Sequence, residues 1–205
     1  MRGIIAGVLM LALATAAEAE MHKGYETPDY TVERTDGAVE LRRYGSHIAA
    51  QVVIAGSRSA AIGAGFRVLA GYIFGKNASK AKVAMTVPVA QAPSETISMT
   101  TPVTQTGKDG EWVVQFMMPG AYTLETLPKP LDPSISFVTV PGSRQAVLRF
   151  SGLPQTAALA QKAEELQVWA AAQGVALGAG PFYYFYDSPM TLPWNRRNEV
   201  AFLLP

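Results

Sequence analysis

Apolar and polar residues alternate along much of the chain, the period-two signature of strands with one face buried. Val39–Gly56, "VELRRYGSHIAAQVVIAG", lies over Ile135–Gly152, "ISFVTVPGSRQAVLRFSG", at a constant offset of 96, with apolar positions coinciding at 39/135, 41/137, 50/146, 52/148 and 54/150. Each stretch reads as two strands joined by a turn, Tyr44-Gly45-Ser46 in one and Pro141-Gly142-Ser143 in the other. A helical period follows each, over Ser57–Gly71 and Pro154–Gly174, and then more strand-like sequence. Further strands are predicted over Glu111–Met118, Phe182–Tyr186 and Glu199–Leu203. The chain thus reads as two copies of strand-strand-helix-strand, chance similarity of alternating segments being the other reading. Many short strands with two helices predict an α+β domain on a strongly twisted antiparallel sheet or barrel.

The two helices differ in pattern. In the second, Leu159, Ala163, Leu166 and Ala170 form one apolar stripe, while Gln161, Lys162, Glu164, Glu165 and Gln167 face water. Pro154 and Gly174 bracket it. In the first, Ile62, Phe66, Leu69 and Ile73 form the stripe expected on the sheet, yet the other sides carry Ala60, Ala61, Ala64, Val68, Ala70 and Tyr72. Only Arg58 and Arg67 are charged. A helix apolar nearly all round is fully buried or offers a second surface to a ligand, a partner subunit or the chain's own tail. A flat apolar ligand lying along it would meet the two arginines with its acidic groups.

Val83–Ala92 repeats as Ile97–Thr106 at an offset of fourteen, with five of ten positions identical. Proline cannot donate to a ladder, so Pro88 and Pro102 are expected at edges or bulges. Two bent strand ends joined by Ala90–Thr96 predict a protruding hairpin, duplication of a loop without function being the alternative.

The first nineteen residues change the picture of where the chain works. Met1-Arg2, the apolar run Ile4–Ala14 and the small-x-small Ala17-Glu18-Ala19 read as a secretory signal peptide. The expected product is an exported protein, periplasmic or secreted, with a loose mature N-terminus over residues 20–29 and a single domain over 30–205. The apolar run is too short to span a bilayer, and no second span is expected after cleavage. With no cysteine, disulfides and a lipid-bearing cysteine are excluded. A formal charge of +1 without a concentrated basic face gives no sign of a nucleic-acid partner. The G-x-S-x-G, H-E-x-x-H, Walker and dinucleotide motifs do not occur, and one usable histidine leaves little for general-base chemistry; no enzyme activity is expected.

"VELRRY" (39–44), "KVAMTVPV" (82–89), "FMMPGAY" (116–122), "LPKPLDP" (127–133) and above all "YDSPMTLPWNRRNEV" (186–200) resemble the SOUL haem-binding protein family, from about Tyr30 to the C-terminus. The resemblance implies a twisted eight- or nine-stranded antiparallel barrel-like sheet flanked by two helices and built from two related halves. It implies reversible binding of haem or a related tetrapyrrole in an open apolar groove near the first helix and the loop before the last strand. Carried onto this sequence, the haem-binding residues are Arg58, Ile62, Phe66, Arg67 and Leu69 on the helix and Met190, Thr191 and Leu192 in the loop. The tandem "MTxPV" expands a single family copy, so Met85 and Met99 both compete for that position.

His47 is the one reasonable imidazole for the iron, since His22 falls in the loose N-terminus. If Ile48, Ala50, Val52 and Ile54 face the barrel interior, His47 points outward with Ala49 and Gln51, to solvent or beneath the helix. Tyr44, Tyr72, Tyr183, Tyr184 and Tyr186 could also ligate iron or simply pack. Arg196, Arg197 and Glu199 read in two ways: pinning a loop by pairing with acids and carbonyls, or contacting the ligand's carboxylates. Beside the tetrapyrrole reading stands a non-catalytic protein-interaction module using the same helix surface, its partner unknown, and an enzyme acting through tyrosine or Glu199.

Overall fold

The computed structural model describes residues 21–78, 96–108 and 110–205. The expected signal peptide, Met85, Pro88 and the first arm of the expected hairpin with its connection up to residue 95 lie outside the described residues. Nine strands form one antiparallel sheet: β1 (Tyr30–Asp36), β2 (Val39–Tyr44), β3 (His47–Ala55), β4 (Val103–Lys108), β5 (Glu111–Met117), β6 (Ser136–Val140), β7 (Ser143–Phe150), β8 (Phe182–Phe185) and β9 (Asn198–Leu203). Two helices, α1 (Arg58–Ile73) and α2 (Thr156–Ala172), follow β3 and β7. The sheet runs β6-β3-β5-β4-β8-β9-β7-β2-β1.

That order is its own mirror once β1 is set aside. Exchanging β2 with β6, β3 with β7, β4 with β8 and β5 with β9 reproduces it in reverse, so the two sequence copies are related by a pseudo-two-fold axis between β4 and β8. The fold is therefore the α+β architecture of two halves that the alternation predicts. One detail differs: the two strands on either side of each turn do not pair. Val39–Leu148 and Tyr44–Ser143 are partners across β2 and β7, while His47–Val140 and Gln51–Ser136 are partners across β3 and β6. Each copy lends its first strand to the other half, which welds the halves together.

Alternation assigns the two faces. Ala50, Val52, Val114 and Phe116 pack under α1 with Leu69 and Tyr72, and Ala146, Leu148, Val200 and Phe202 pack under α2 with Leu159 and Leu166. The opposite face is concave, because the sheet curls until Tyr44, Gln115, Gln145 and Tyr184 line one cavity. α1 starts at Ser57, whose hydroxyl accepts from the Ala60 amide at 3.3 Å. α2 ends on Gly174 at φ +65°, and the Val175 amide reaches back to the Ala170 carbonyl at 2.8 Å, the αL closure that glycine permits. Among the described residues no helix is long and apolar enough to cross a membrane.

Candidate functional site

α1 sits partly rotated from its expected orientation. Its buried face runs through Ala61, Gly65, Leu69, Tyr72 and Ile73, so Leu69 and Ile73 of the expected stripe meet the sheet and Ile62 and Phe66 do not. A Cβ on Gly65 would stand 2.7 Å from Val114 Cβ, so the small residues let the helix backbone press onto β5. Leu69, expected to touch the ligand, is 0% exposed within the core and lines no cleft. Ile62 and Phe66 move instead to the flank, half-buried, with Phe66 edge-on to Phe116 at 5.4 Å between centroids.

Beside that flank opens a cleft of about 460 Å³. Ile62, Phe66 and Arg67 form one wall, Val103 of β4 and Phe185 of β8 the floor, and Pro189 and Arg196 of the 186–197 connection the other wall. Of the loop residues expected at the site, Met190 is 90% exposed, Leu192 is exposed and Thr191 half-buried. None of the three lines the cleft, although Pro189 of the same connection does. The Thr191 carbonyl is used from within: it accepts from Arg196 Nε at 2.7 Å, while Arg196 Nη2 reaches the Pro189 carbonyl at 2.5 Å. Arg196 thus pins the loop, as one of the two sequence readings has it.

Arg58 lines the inner end of the cleft and is 7% exposed. Its guanidinium donates to Gln105 Oε1 at 3.1 Å, the Pro154 carbonyl at 2.8 Å and Thr156 Oγ1 at 3.3 Å, bridging the starts of the two helices. No carboxylate pairs with it among the described residues. Burial accordingly pulls its pKa below the ordinary arginine value, the Tyr183 phenol acting weakly the other way. Asp187 is the one acid among the lining residues, and it is already engaged by His22, by Lys23 and by the Arg197 amide at 2.6 Å. The cleft is therefore apolar in body and positive at its edges, with Arg58, Arg67 and Arg196 around it.

The concave face holds a second assembly that sequence reasoning only touched. Glu199, wholly buried, accepts from Arg42 Nη1 at 2.9 Å, Arg197 Nε at 2.9 Å and the Tyr186 hydroxyl at 3.0 Å. Burial alone would raise the Glu199 carboxyl, but the two guanidiniums outweigh it and hold its pKa below the ordinary value. Arg42 lies over the Tyr30 ring at 4.4 Å and Arg197 over Tyr186 at 4.0 Å. Arg197 and Glu199 thus tie the end of the 186–197 connection to β2, and neither lines the cleft beside α1. "VELRRY" marks Arg42 as a charge on an alternating strand; nothing local shows a partner 157 residues away.

His47 requires a correction. Ile48, Ala50, Val52 and Ile54 face α1, so His47 with Ala49 and Gln51 points to the concave side, across the sheet from the cleft. It does not line the cleft beside α1. Four of the five candidate tyrosine hydroxyls are engaged: Tyr72 donates to the Pro128 carbonyl at 2.9 Å, Tyr184 to Gln145 at 2.8 Å and Tyr186 to Glu199 at 3.0 Å, and Tyr44 accepts from Arg42 at 2.9 Å.

The profile of the SOUL heme-binding proteins matches residues 25–203. The chain belongs to the SOUL family. The family is described as one of heme-binding proteins, which suggests a tetrapyrrole as the ligand class. No curated protein sequence matches this SOUL protein. Among solved structures, the C-terminal domain of EcmrR superposes with a TM-score of 0.57 at 12% identity, over 86% of this chain and 98% of that one. A hydrolase from Listeria innocua superposes with a TM-score of 0.53 at 10% identity, over 84% and 94%. The fold also forms part of the DNA-bound EcmrR chain, with a TM-score of 0.53 at 13% identity over 81% of this chain and 57% of that one. At these identities the likeness is one of fold.

Proposed function

We propose that this SOUL protein is exported and holds haem or a related tetrapyrrole reversibly in the cleft between α1 and the 186–197 connection. The observation that carries the reading is Arg58: a buried guanidinium without an acidic partner among the described residues lines the inner end of an apolar cleft. A planar ligand with acidic side groups supplies what the site lacks, since a carboxylate near Arg58 offsets the cost of its burial. Arg67, exposed at the rim, adds a second positive charge. The residues present fit such a ligand: Ile62, Phe66, Val103, Phe185 and Pro189 offer apolar surface to a ring face.

Haem, once bound, supplies an iron and a conjugated macrocycle; the chain supplies shape, exclusion of water and positive charge. The lining residues described include no histidine, cysteine, tyrosine or methionine, so retention rests on contact and charge, which suits reversible loading. Export rests on the leader through Ala19, and N-terminal sequencing of the secreted form checks it.

Hemin titration of the purified protein gives a saturable Soret shift, weakened by Phe66→Asp. A second reading, docking of a protein partner on the same surface, is favoured by the exposed Met190 and Leu192 of the 186–197 connection. Absence of any Soret shift, together with self-association lost in Phe66→Asp, selects that reading instead.

A further inference from the structure

The 186–197 connection turns the usual order of a surface loop inside out. Its arginines point in: half-buried Arg196 spends its guanidinium on the Thr191 and Pro189 carbonyls, and buried Arg197 pairs with Glu199. Its large apolar side chains point out, Met190 being 90% exposed, Leu192 52% and Trp194 68%. The backbone that carries them is braced, the Thr191 amide donating to the Ser188 carbonyl and the Asn195 amide to the Leu192 carbonyl, each at 2.9 Å. The Gly152 amide donates to the Pro193 carbonyl at 2.9 Å, which brings alongside the link to α2 with its exposed Leu153. Exposed apolar residues scattered singly are ordinary. Three at alternate positions of one braced loop make a patch, and a patch marks an interaction surface.

The charge around the patch selects the partner. Clefts on the two sides of the connection bring Arg67 and Arg196 to one flank and Arg149 and Arg196 to the other. None of these three arginines forms an ion pair among the described residues. The acids of those clefts, Asp187 and Glu40, are already taken by Lys23 and Arg42, and no acid occurs in α1 or between Asp187 and Glu199. We infer that the connection docks on an anionic lipid surface, with Met190, Leu192 and Trp194 entering the headgroup boundary and the three arginines meeting lipid phosphates. Tryptophan suits that boundary, where its ring is buried while its N–H stays wet. A protein partner fits less well, because a stable protein interface takes about 20–30 residues a side. Bilayer binding instead grows with each apolar group inserted and each basic group brought to anionic lipid. The docking is peripheral, since no described helix is long and apolar enough to cross a membrane. It goes beyond the tetrapyrrole reading and does not depend on it.

The test is flotation with vesicles of phosphatidylcholine alone and of phosphatidylcholine containing about one-third phosphatidylglycerol. The chain from Glu20 is used, because the apolar leader would bind lipid by itself; every strand and helix described above lies within it. The protein should float with the anionic vesicles and stay behind with the neutral ones, and added salt should release it. Brominated acyl chains should quench the tryptophan emission of the wild type far more than that of Trp194→Phe. Replacing Met190 and Leu192 together by serine should weaken binding about tenfold or more. Arg149→Gln, outside the cleft beside α1, should weaken it about fivefold on anionic vesicles. All four positions are exposed, so these variants keep the fold. Equal flotation with neutral vesicles, flotation with neither, or flotation that survives the Met190 and Leu192 change overturns the proposal. Self-association without flotation, lost in that same variant, assigns the patch to a protein and also overturns it. The assay contains no haem, so its failure leaves the tetrapyrrole reading standing, and a missing Soret shift leaves this one.

Discussion

The two halves share one frame and differ in what they hang on it. Placed with Ala61 on Leu159, Gly65 on Ala163 and Tyr72 on Ala170, three buried positions of α1 and α2 coincide. On the flank, Phe66 and Arg67 then fall where α2 has Glu164 and Glu165. The connections are unequal too. The first half passes from β4 to β5 through residues 109–110, whereas the second passes from β8 to β9 through 186–197 and folds that length over the flank of α1. The cleft exists where the symmetry breaks: one helix kept an apolar flank, and the other half grew the loop that faces it.

The comparison can be broken most severely at the buried ion cluster that anchors the long connection. Glu199→Ala leaves Arg42 and Arg197 buried without their carboxylate and should cost about 3–5 kcal/mol in urea unfolding. The wild type should show the same dependence on acid. The folded Glu199 carboxyl titrates below its ordinary 4.5, so the unfolded chain takes up the proton first. This share of stability is present above pH 4.5 and lost as pH falls through the folded value. Loss that begins well above pH 5 contradicts the assignment.

Next in size is the contrast between Gly65 and Ala163. Adding a methyl at Gly65 drives it into Val114, and Gly65→Ala should destabilise by about 1–3 kcal/mol, overpacking outweighing the better helix propensity. Removing the methyl from α2 by Ala163→Gly should also destabilise, by about 1 kcal/mol, for the opposite reason. Should Gly65→Ala stabilise the protein, α1 does not press on β5 as described.

The flank itself comes third. Phe66→Asp should weaken hemin binding about tenfold, or about 1.4 kcal/mol, while Glu164→Phe on the other helix leaves it unchanged. Equal effects at both positions would remove the distinction between the halves. The smallest effect is a slope in stability. Burial lowers the His47 imidazole below its ordinary 6.5, so the unfolded chain binds a proton first as the pH drops below that value. Stability should decline gently from pH 6.5 toward the folded pKa, and His47→Phe should flatten that part of the profile.

Much of this was legible because alternation is a local property. The strands at Val39–Tyr44, Ser143–Phe150 and Asn198–Leu203 repeat every second residue against a face, and the repeat at offset 96 carried the two-half plan. What alternation cannot give is which strand lies alongside which. Hence the strands flanking Gly45 were read as a unit although they join different neighbours, and the face carrying His47 was assigned to the wrong side of the sheet. Of the stripe expected on the sheet, Leu69 and Ile73 do pack there, whereas Ile62 and Phe66 turn to the flank because packing follows the smallest residues, Ala61 and Gly65. Leu69 as a ligand contact came from the family resemblance and not from the stripe. The Arg42–Glu199 pair joins residues in different halves, and no pattern along the chain reports such a contact.

The strand that stands outside the two-fold scheme has a consequence for solubility. β1 lies along β2 and shields that margin, while its counterpart margin at β6 has a neighbour on one side only among the described residues. A bare strand of that kind invites amyloid-like growth. Here Pro133 and Pro141 bracket it and hold the recruitable stretch to Ser136–Val140.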